Sequence, residues 1–279
     1  MKRFAVIAGV AASLIAGTAL ADGRLPGNAA PNVVFEEGVG SSFLFPVAGS
    51  VEGANGARFR TEVTIVNFKD DTQEVLVEFL PRGANSPSVH RVILDGRKFR
   101  FWDDFVATEL GRPGLLGALT FRAVFTGTTV SDNTARLNAF SRIWTQIPDS
   151  NGTSSMSLPP VFDADLGLPG DALEAAFIIG LRQDAQYRTN IGIVNLESFD
   201  RTFRVEPSNS VPSNPAPSFN VTVRARSMDQ VAMPAGFFGG VTFKVTPLEA
   251  GRWSAYAASV DNFSGDGWVS KAQYSTPRP

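Results

Sequence analysis

The sequence predicts an all-β protein built from two tandem antiparallel β-sandwiches that are related by internal duplication. Two observations favour this fold. Apolar and polar residues alternate with a period of two through most of the chain, which is typical of half-buried strands. In addition, one set of segments occurs twice in the same order, which indicates a repeated unit. Only two stretches, 103–110 and 171–176, have a helical pattern, and both are short.

The alternation divides each copy into several short strands. In the first copy the apolar phase includes Val75, Val77 and Phe79, and in the second it includes Val241 and Phe243. Clusters of Asp, Asn, Gly and Pro between the strands mark turns. Strands that are apolar on one face need a second sheet to cover that face, so we expect each copy to be a sandwich of immunoglobulin-like or fibronectin-like type. The chain has no Cys, which excludes the disulfide of antibody domains.

The duplication is clearest at 59–68 and 187–196, which share the pattern aromatic-Arg-Thr-x-apolar-x-Ile-Val-Asn-apolar. Downstream, 117–122 matches 239–244, and 137–141 matches 253–257. The offset between the copies falls from 128 to 122 to 116 residues, so the second copy has shorter connections but keeps the order of segments. Length changes confined to loops are typical of a duplicated domain.

The N-terminus has the pattern of an export signal. A basic start at Lys2 and Arg3 precedes the apolar run 4–20, and Ala19-Leu20-Ala21 is a small-x-small cleavage site. We expect cleavage after Ala21 and a mature chain that is periplasmic, extracellular or on the cell surface; an uncleaved membrane anchor is the alternative. No later run approaches the about 20 apolar residues that cross a bilayer, so we expect no transmembrane span in the mature chain.

These patterns predict six segments along the chain. They are a signal peptide (1–21), an N-terminal lead segment (22–42), β-sandwich repeat 1 (43–147), a linker rich in Ser, Gly and Pro (148–174), β-sandwich repeat 2 (175–273) and a C-terminal tail (274–279).

The composition excludes several classes of function. A net charge of -2 gives no general field for nucleic acid, and no phosphate-binding loop or dinucleotide fingerprint is present. The absence of Cys excludes thiolate zinc sites and cysteine nucleophiles. The single histidine, His90, starts a predicted strand, and we interpret it as a surface residue. We therefore predict a protein that is not an enzyme, with no catalytic residue, no metal site and no cofactor.

Four residues are weak candidates for a binding surface: Trp102, Asp103, Asp104 and Trp144. Trp144 falls on the polar phase of its strand, and one interpretation is that it is exposed and offers, with Trp102, rings for sugar stacking. Packing inside or between domains is the default for such aromatics. Asp103 and Asp104 open the predicted short helix 103–110, where acids favour the N-terminal end, but paired acids are also what a glycosidase uses.

Two further pairs recur at equivalent positions of the two copies. Arg60 and Arg188 each precede a Thr at a strand start, and we interpret them as structural, with anion binding as the alternative. Asn67 and Asn195 end their strands, and we expect each side chain to hydrogen-bond the following turn.

The repeated segment 59–68 and 187–196, with a Thr-Phe strand and an Ala-Phe or Ala-Tyr strand in each copy, resembles uncharacterised bacterial exported proteins with tandem immunoglobulin-like β-sandwich repeats. The resemblance covers about residues 43–272 and implies a fold and export, but no active site. Similar modules serve as surface, adhesion or scaffold units. We therefore expect an exported non-enzymatic binding or structural module with an unknown protein or glycan as partner. The alternative is a carboxylate-dependent, glycosidase-type hydrolase with its site in the loops of repeat 1.

Overall fold

A computed structural model describes residues 39–53, 56–147, 151–162, 166, 174–211, 213–236 and 238–274. The predicted signal peptide, most of the predicted lead segment and residues 275–279 lie outside these ranges. Within them the chain is almost entirely antiparallel β structure, which confirms the all-β sandwich prediction. No helix in these ranges has the length and apolar character needed to cross a membrane.

The first half forms two sheets that face each other. Sheet A has the strand order β10-β1-β7-β4-β5, and sheet B has the order β2-β3-β8-β9 with β6 also paired to β3. The strands are β1 Ser42–Gly49, β2 Val51–Glu52, β3 Arg58–Asn67, β4 Gln73–Pro81, β5 Ser88–Leu94, β6 Phe99–Trp102, β7 Leu116–Val124, β8 Leu137–Gln146, β9 Thr153–Leu158 and β10 Val161–Phe162.

The second half is built in the same way. Sheet C has the order β15-β12-β17-β18, and sheet D has the order β14-β13-β16-β11-β19. The strands are β11 Ala176–Gln183, β12 Tyr187–Asn195, β13 Arg201–Asn209, β14 Phe219–Val223, β15 Ser227–Ala232, β16 Gly239–Pro247, β17 Trp253–Asp261, β18 Gly267–Lys271 and β19 Gln273–Tyr274.

The two halves share one strand order, since each strand of sheets A and B except β2 has a counterpart at the same place in sheets D and C. Even an irregularity recurs: the register shifts between Phe45 and Ala48 in β1, and between Ile178 and Leu181 in β11. This order differs from that of an immunoglobulin domain. The first two strands of an immunoglobulin domain share one sheet, whereas β1 and β3 lie in opposite sheets here.

Each half has a separate apolar core between its two sheets. The first core is rich in phenylalanine and valine, and the rings of Phe43 and Phe121 stack there with their centroids 4.9 Å apart. The second core is centred on Trp253, whose ring lies 5.2 Å from that of Phe203. Because the chain has no Cys, each half must be stabilised by the packing of these rings and of β-branched residues in its own core.

The predicted linker 148–174 differs from the structure, because part of it forms strands of the first half. Strand β9 pairs with β8, and β10 pairs with β1, so each extends the edge of a sheet. The polar composition of Thr153–Leu158 resembles that of a linker, although β9 pairs with β8 and also lies beside β18 of the second half. The predicted tail also begins too early, since Tyr274 pairs with Ala176 in sheet D.

The two halves are joined by a third apolar cluster. Leu44, Leu80 and Ala118 lie on the outer face of sheet A and pack against Met228 and Tyr256 on the outer face of sheet C. Ile143 and Leu158 of sheet B belong to the same cluster, and β9 lies beside β18, so both sheets of the first half contact sheet C of the second. This arrangement fixes one half against the other.

Polar contacts surround this joint. The Ser227 hydroxyl donates to the Pro81 carbonyl at 2.6 Å, and the Gly83 N–H donates to the Met228 carbonyl at 3.0 Å. Arg226 of the second half also forms an ion pair with Glu78 of the first. Hydrogen bonds need defined geometry, so these contacts add orientation to the apolar contact.

Candidate functional site

A cleft of about 1270 Å³ lies between the two halves, beside the joint that holds them. The second half contributes the part of sheet C that sheet A leaves uncovered. The first half contributes the β2–β3 hairpin, the turn after β4 and the segments around 103–108 and 113–116. Neither half forms this concave surface alone, and concave surfaces between domains are common places for ligands.

The wall from sheet C is partly apolar and carries neutral polar groups. Ala258, Val260 and Val269 line it, together with the side chains of Asn190 and Gln230. The Tyr256 hydroxyl donates to Gln230 Oε1 at 2.6 Å. Burial raises the pKa of Tyr256, so this phenol stays protonated and keeps the Gln230 amide in place.

The wall from the first half carries charge. Arg58 and Arg60 lie on β3 and Glu52 lies on β2, and all three line the cleft. The Arg60 guanidinium lies over the Trp144 ring, with its Cζ 4.9 Å from the ring centroid. The ring thus supports the guanidinium by a cation–π contact and limits where it can point.

The two arginines of the repeated segment lie in the same cleft, one from each half. Arg60 lines it from sheet B and Arg188 lines it from sheet C. Arg188 Nη1 donates to Asn262 Oδ1 at 2.9 Å, which is a neutral partner. Among the described residues, Arg58, Arg60 and Arg188 form no ion pair with a carboxylate.

A fourth arginine at the cleft, Arg82, is committed to the joint between the halves. Its Nε lies 3.0 Å from Asp229 Oδ1, and its Nη2 donates to the Gln230 carbonyl at 2.7 Å. Arg82 therefore holds the turn after β4 against β15 and shapes one end of the cleft.

Asp103 and Asp104 both line the cleft, but Asp104 has a structural role. Its Oδ2 accepts from the Ser50 hydroxyl at 2.8 Å, and its Oδ1 accepts from the Ala107 N–H at 3.2 Å. It caps the π-helical turn Phe105–Glu109, which is the short helix expected at 103–110. The Asp103 side chain is exposed, and its carbonyl accepts from Trp144 Nε1 at 3.1 Å.

Trp144 is buried, with its side chain only 8% accessible, which agrees with the default of packing and rules out the alternative of an exposed ring. The residue does lie on the outer face of sheet B, as its phase predicts, but Arg60 covers the ring and Asp103 accepts from its N–H. Trp144 supports the cleft and offers no free stacking face.

Trp102 is also buried, at 8% accessible, and does not form a surface platform. Its Nε1 donates to Glu109 Oε2 at 2.6 Å, and its ring contacts Phe105 edge-on at 4.9 Å. His90 lies 3.0 Å from Glu109 Oε1 through its Nε2 and is about two-fifths exposed, a partly exposed strand residue as expected. These contacts tie the π-helical turn to the edges of both sheets.

Sequence patterns missed the cleft because it is formed by both halves. Residues such as Asn190, Gln230 and Tyr256 lie on strands and look like ordinary members of an alternating pattern. One signal was available. Arg60 and Arg188 recur at one position of the repeat, and a charged residue present in both copies indicates a shared role for that position.

Within the described residues no group of three or more His, Cys, Asp or Glu side chains is arranged to hold a metal ion. Neither a comparison with models of protein families nor comparisons with curated proteins and with solved structures give a significant match for this chain. The site must therefore be interpreted from its own chemistry.

Proposed function

We propose that this protein is an exported, non-enzymatic binding module that holds its ligand in the cleft between the two halves. The observation that carries the proposal is the composition of that cleft. Two sandwiches contribute to one concave surface of about 1270 Å³, and guanidinium, amide and apolar groups from both line it. The proposal of export is based on the N-terminal pattern of the sequence. It implies that the ligand occurs in the periplasm, at the cell surface or outside the cell.

The joint between the halves supports this role. The apolar cluster around Leu80, Met228 and Tyr256 is buried, and hydrogen bonds from Ser227 and Gly83 surround it. A cleft between firmly joined walls is formed before the ligand arrives, so little ordering free energy is lost on binding. A purely structural role would account for the joint but not for the cleft or for the polar groups that line it.

A carboxylate-dependent hydrolase remains the second candidate, because Glu52, Asp103 and Asp104 line the cleft. Both Asp104 oxygens already accept hydrogen bonds from within the fold, as described above. A glycosidase needs two carboxyl groups available to the substrate, which leaves Asp103 and Glu52 for that role. Release of reducing sugar from any bound glycan, abolished by Asp103→Asn with binding retained, would establish this candidate in place of the first.

The binding role can be tested by filling the cleft. Asn190→Trp places a large ring in the cleft from sheet C, whereas Thr222→Trp places the same ring on an exposed position of β14, away from it. Wild-type protein and both variants would be compared on an array of neutral and acidic glycans, after thermal melting confirms that all three are folded. We expect wild type and Thr222→Trp to bind the same glycans and Asn190→Trp to lose them.

Two results would count against the proposal. If the wild-type protein binds nothing on the array, a structural role is favoured over a binding role. If binding is found but Asn190→Trp retains it fully, the ligand lies elsewhere on the molecule and the cleft is not the site.

A further inference from the structure

We infer that the cleft recognises an acidic oligosaccharide, one that carries carboxylate or sulfate groups on a chain of several sugars. This inference rests on the proposed function and adds the chemistry of the ligand. It is carried by three arginines that line the cleft without a carboxylate partner among the described residues: Arg58, Arg60 and Arg188.

The arrangement of Arg60 and Arg188 distinguishes them from ordinary surface arginines. Both are partly buried, and they approach the cleft from different halves. The Trp144 ring supports the Arg60 guanidinium, and Asn262 orients that of Arg188. Each guanidinium keeps donors free to form a forked pair with an anionic group, and an oriented guanidinium loses less entropy in doing so.

The other arginines near the joint show the contrast. Arg82 and Arg226 both have carboxylate partners across the halves, Asp229 and Glu78. The chain therefore supplies a carboxylate where an arginine serves the fold. At Arg60 and Arg188 the matching anion is missing from the described part of the chain, and a ligand would supply it.

Size indicates a chain rather than a single ion. Small-molecule sites are about 300–1,000 Å³. The volume of about 1270 Å³ exceeds that range, and arginines enter from both halves. Apolar groups such as Ala258 and Val269 line the same cleft and suit the less polar face of a sugar ring. An extended ligand with repeated anionic groups uses both walls at once.

The acids in the cleft favour a glycan over an acidic peptide. Glu52 and Asp103 line the same surface and would repel a run of carboxylates whose only hydrogen-bond donors are backbone N–H groups. Sugar hydroxyls donate to such carboxylates and to the oxygens of Asn190 and Gln230, while the acidic groups of the same chain pair with Arg60 and Arg188. A ligand with anionic groups and many hydroxyls satisfies both kinds of lining residue.

The test is calorimetric titration of the purified chain with five probes. These are a galacturonate hexasaccharide, a sulfated galactan hexasaccharide, neutral maltohexaose, neutral galactohexaose and the peptide hexaglutamate. We expect at least one acidic hexasaccharide to bind, with an affinity that falls as salt is raised, because its contacts are charged. Arg60→Gln and Arg188→Gln should each weaken it about tenfold or more, and Arg60→Lys should weaken it less than Arg60→Gln.

The matched control is Arg224→Gln, which removes an exposed guanidinium outside the cleft and changes the net charge equally. Its affinity should equal that of wild type. If the neutral hexasaccharides bind as tightly as the acidic ones, in a manner blocked by Asn190→Trp, the inference is overturned while the proposed function stands. Three other results would also overturn the inference. Hexaglutamate could bind as tightly as the acidic sugars, both arginine variants could leave acidic sugar binding unchanged, or no acidic sugar could bind.

Discussion

Asn67 and Asn195 make the same hydrogen bonds in the two halves of the chain. Asn67 Nδ2 donates to the carbonyls of Asp71, Leu94 and Asp95 at 2.8, 3.2 and 3.2 Å. Asn195 Nδ2 donates to three carbonyls at equivalent places, at 2.7, 3.2 and 3.1 Å, those of Phe199, Val223 and Arg224. Each Oδ1 accepts from the N–H two residues on. The expectation that these side chains bind the following turn is confirmed.

Replacing either asparagine should therefore destabilise its half severely. Both side chains are fully buried, so Asn67→Ala or Asn195→Ala leaves three carbonyls and one N–H without this partner. We expect the free energy of unfolding to fall by about 2–4 kcal/mol for each variant, measured by urea denaturation. Asn138→Ala, which removes an oxygen that accepts only from the adjacent Ala139 N–H, should change it by less than about 0.5 kcal/mol. Equal effects at positions 67 and 138 would contradict this account.

The repeated asparagine also shows what sequence could predict. A residue that recurs at one position in both copies has a local reason to be there, and turn chemistry supplies it. The strand before Asn67 follows from the alternation, because β3 buries Val63, Ile65 and Asn67 and leaves the residues between them partly exposed. Local patterns therefore predicted strands, turns and the layered arrangement within each half.

The way in which the halves join was not predicted, although the sequence carries a trace of it. β1 is apolar on both phases: Phe43 and Phe45 face the core, and Leu44 faces the second half. A strand that is apolar on both sides is buried on both sides. Alternation of apolar and polar residues identifies the phase that faces the core but not what covers the other phase, so the position of the cleft beside the joint could not be deduced.

Close approach at the joint explains one glycine. Gly192 lies under the Tyr256 ring, and a Cβ at that position would overlap the ring atoms. Tyr256 is itself buried in the cluster between the halves and bonded to Gln230, so moving its ring would disrupt that packing and that hydrogen bond. Glycine at 192 is required by this contact and not by its backbone conformation.

We expect Gly192→Ala to lower the free energy of unfolding by about 1–3 kcal/mol, as overpacking does. The loss should shrink when Gly192→Ala is introduced into Tyr256→Ala protein, because the ring is then gone; a double-mutant cycle measures the difference. Gly240→Ala is the matched control, since a Cβ there meets Ser210 only at ordinary contact distances of 3.6 and 3.9 Å. Additive effects of the 192 and 256 substitutions would show that the two residues do not interact.

Asp184 makes the stability of the second half depend on pH. Burial opposes its ionisation, but the Arg182 guanidinium at 2.5 Å and the N–H groups of Gln186 and Tyr187 at 2.8 and 3.0 Å outweigh this. The pKa of Asp184 is therefore lowered. A carboxyl with a lowered pKa in the folded state stabilises the fold above its unfolded pKa of about 3.9, and that stability is lost as the pH falls through the folded value.

Asp184→Asn should accordingly lower the melting temperature at pH 7 and make the melting temperature less dependent on pH below about 4. Melting curves recorded by circular dichroism from pH 7 to pH 2 measure both effects. Asp71→Asn, at an exposed turn, changes the formal charge equally and should lower the melting temperature far less. The assignment fails if Asp184→Asn melts like wild type at pH 7, or if its acid branch is as steep as that of wild type.

Arg226 connects the two halves although its backbone adopts a conformation that is unfavourable for arginine. Its φ is 47°, a left-handed value that costs an L-residue free energy, and Arg97 at the corresponding turn of the first half has φ 55°. Arg97 pairs with the exposed Asp70 of its own half, at 2.8 Å. Arg226 instead reaches Glu78 of the first half and the Leu196 carbonyl at 2.9 Å. The same turn geometry thus places Arg97 in a contact within its own half and Arg226 in a contact between the halves.

We expect Arg226→Gln and Glu78→Gln each to lower the free energy of unfolding by about 1–3 kcal/mol, because each leaves a partly buried charge without its partner. The double variant should lose less than the sum of the two, by about 1 kcal/mol or more. Arg226→Gly should be less harmful than Arg226→Gln, since Gly adopts positive φ without a steric penalty. Arg97→Gln, which breaks only the exposed pair with Asp70, is the matched control and should have a smaller effect. A cycle that shows no coupling between positions 78 and 226 would mean that the apolar contact around Tyr256 orients the halves without help from this ion pair.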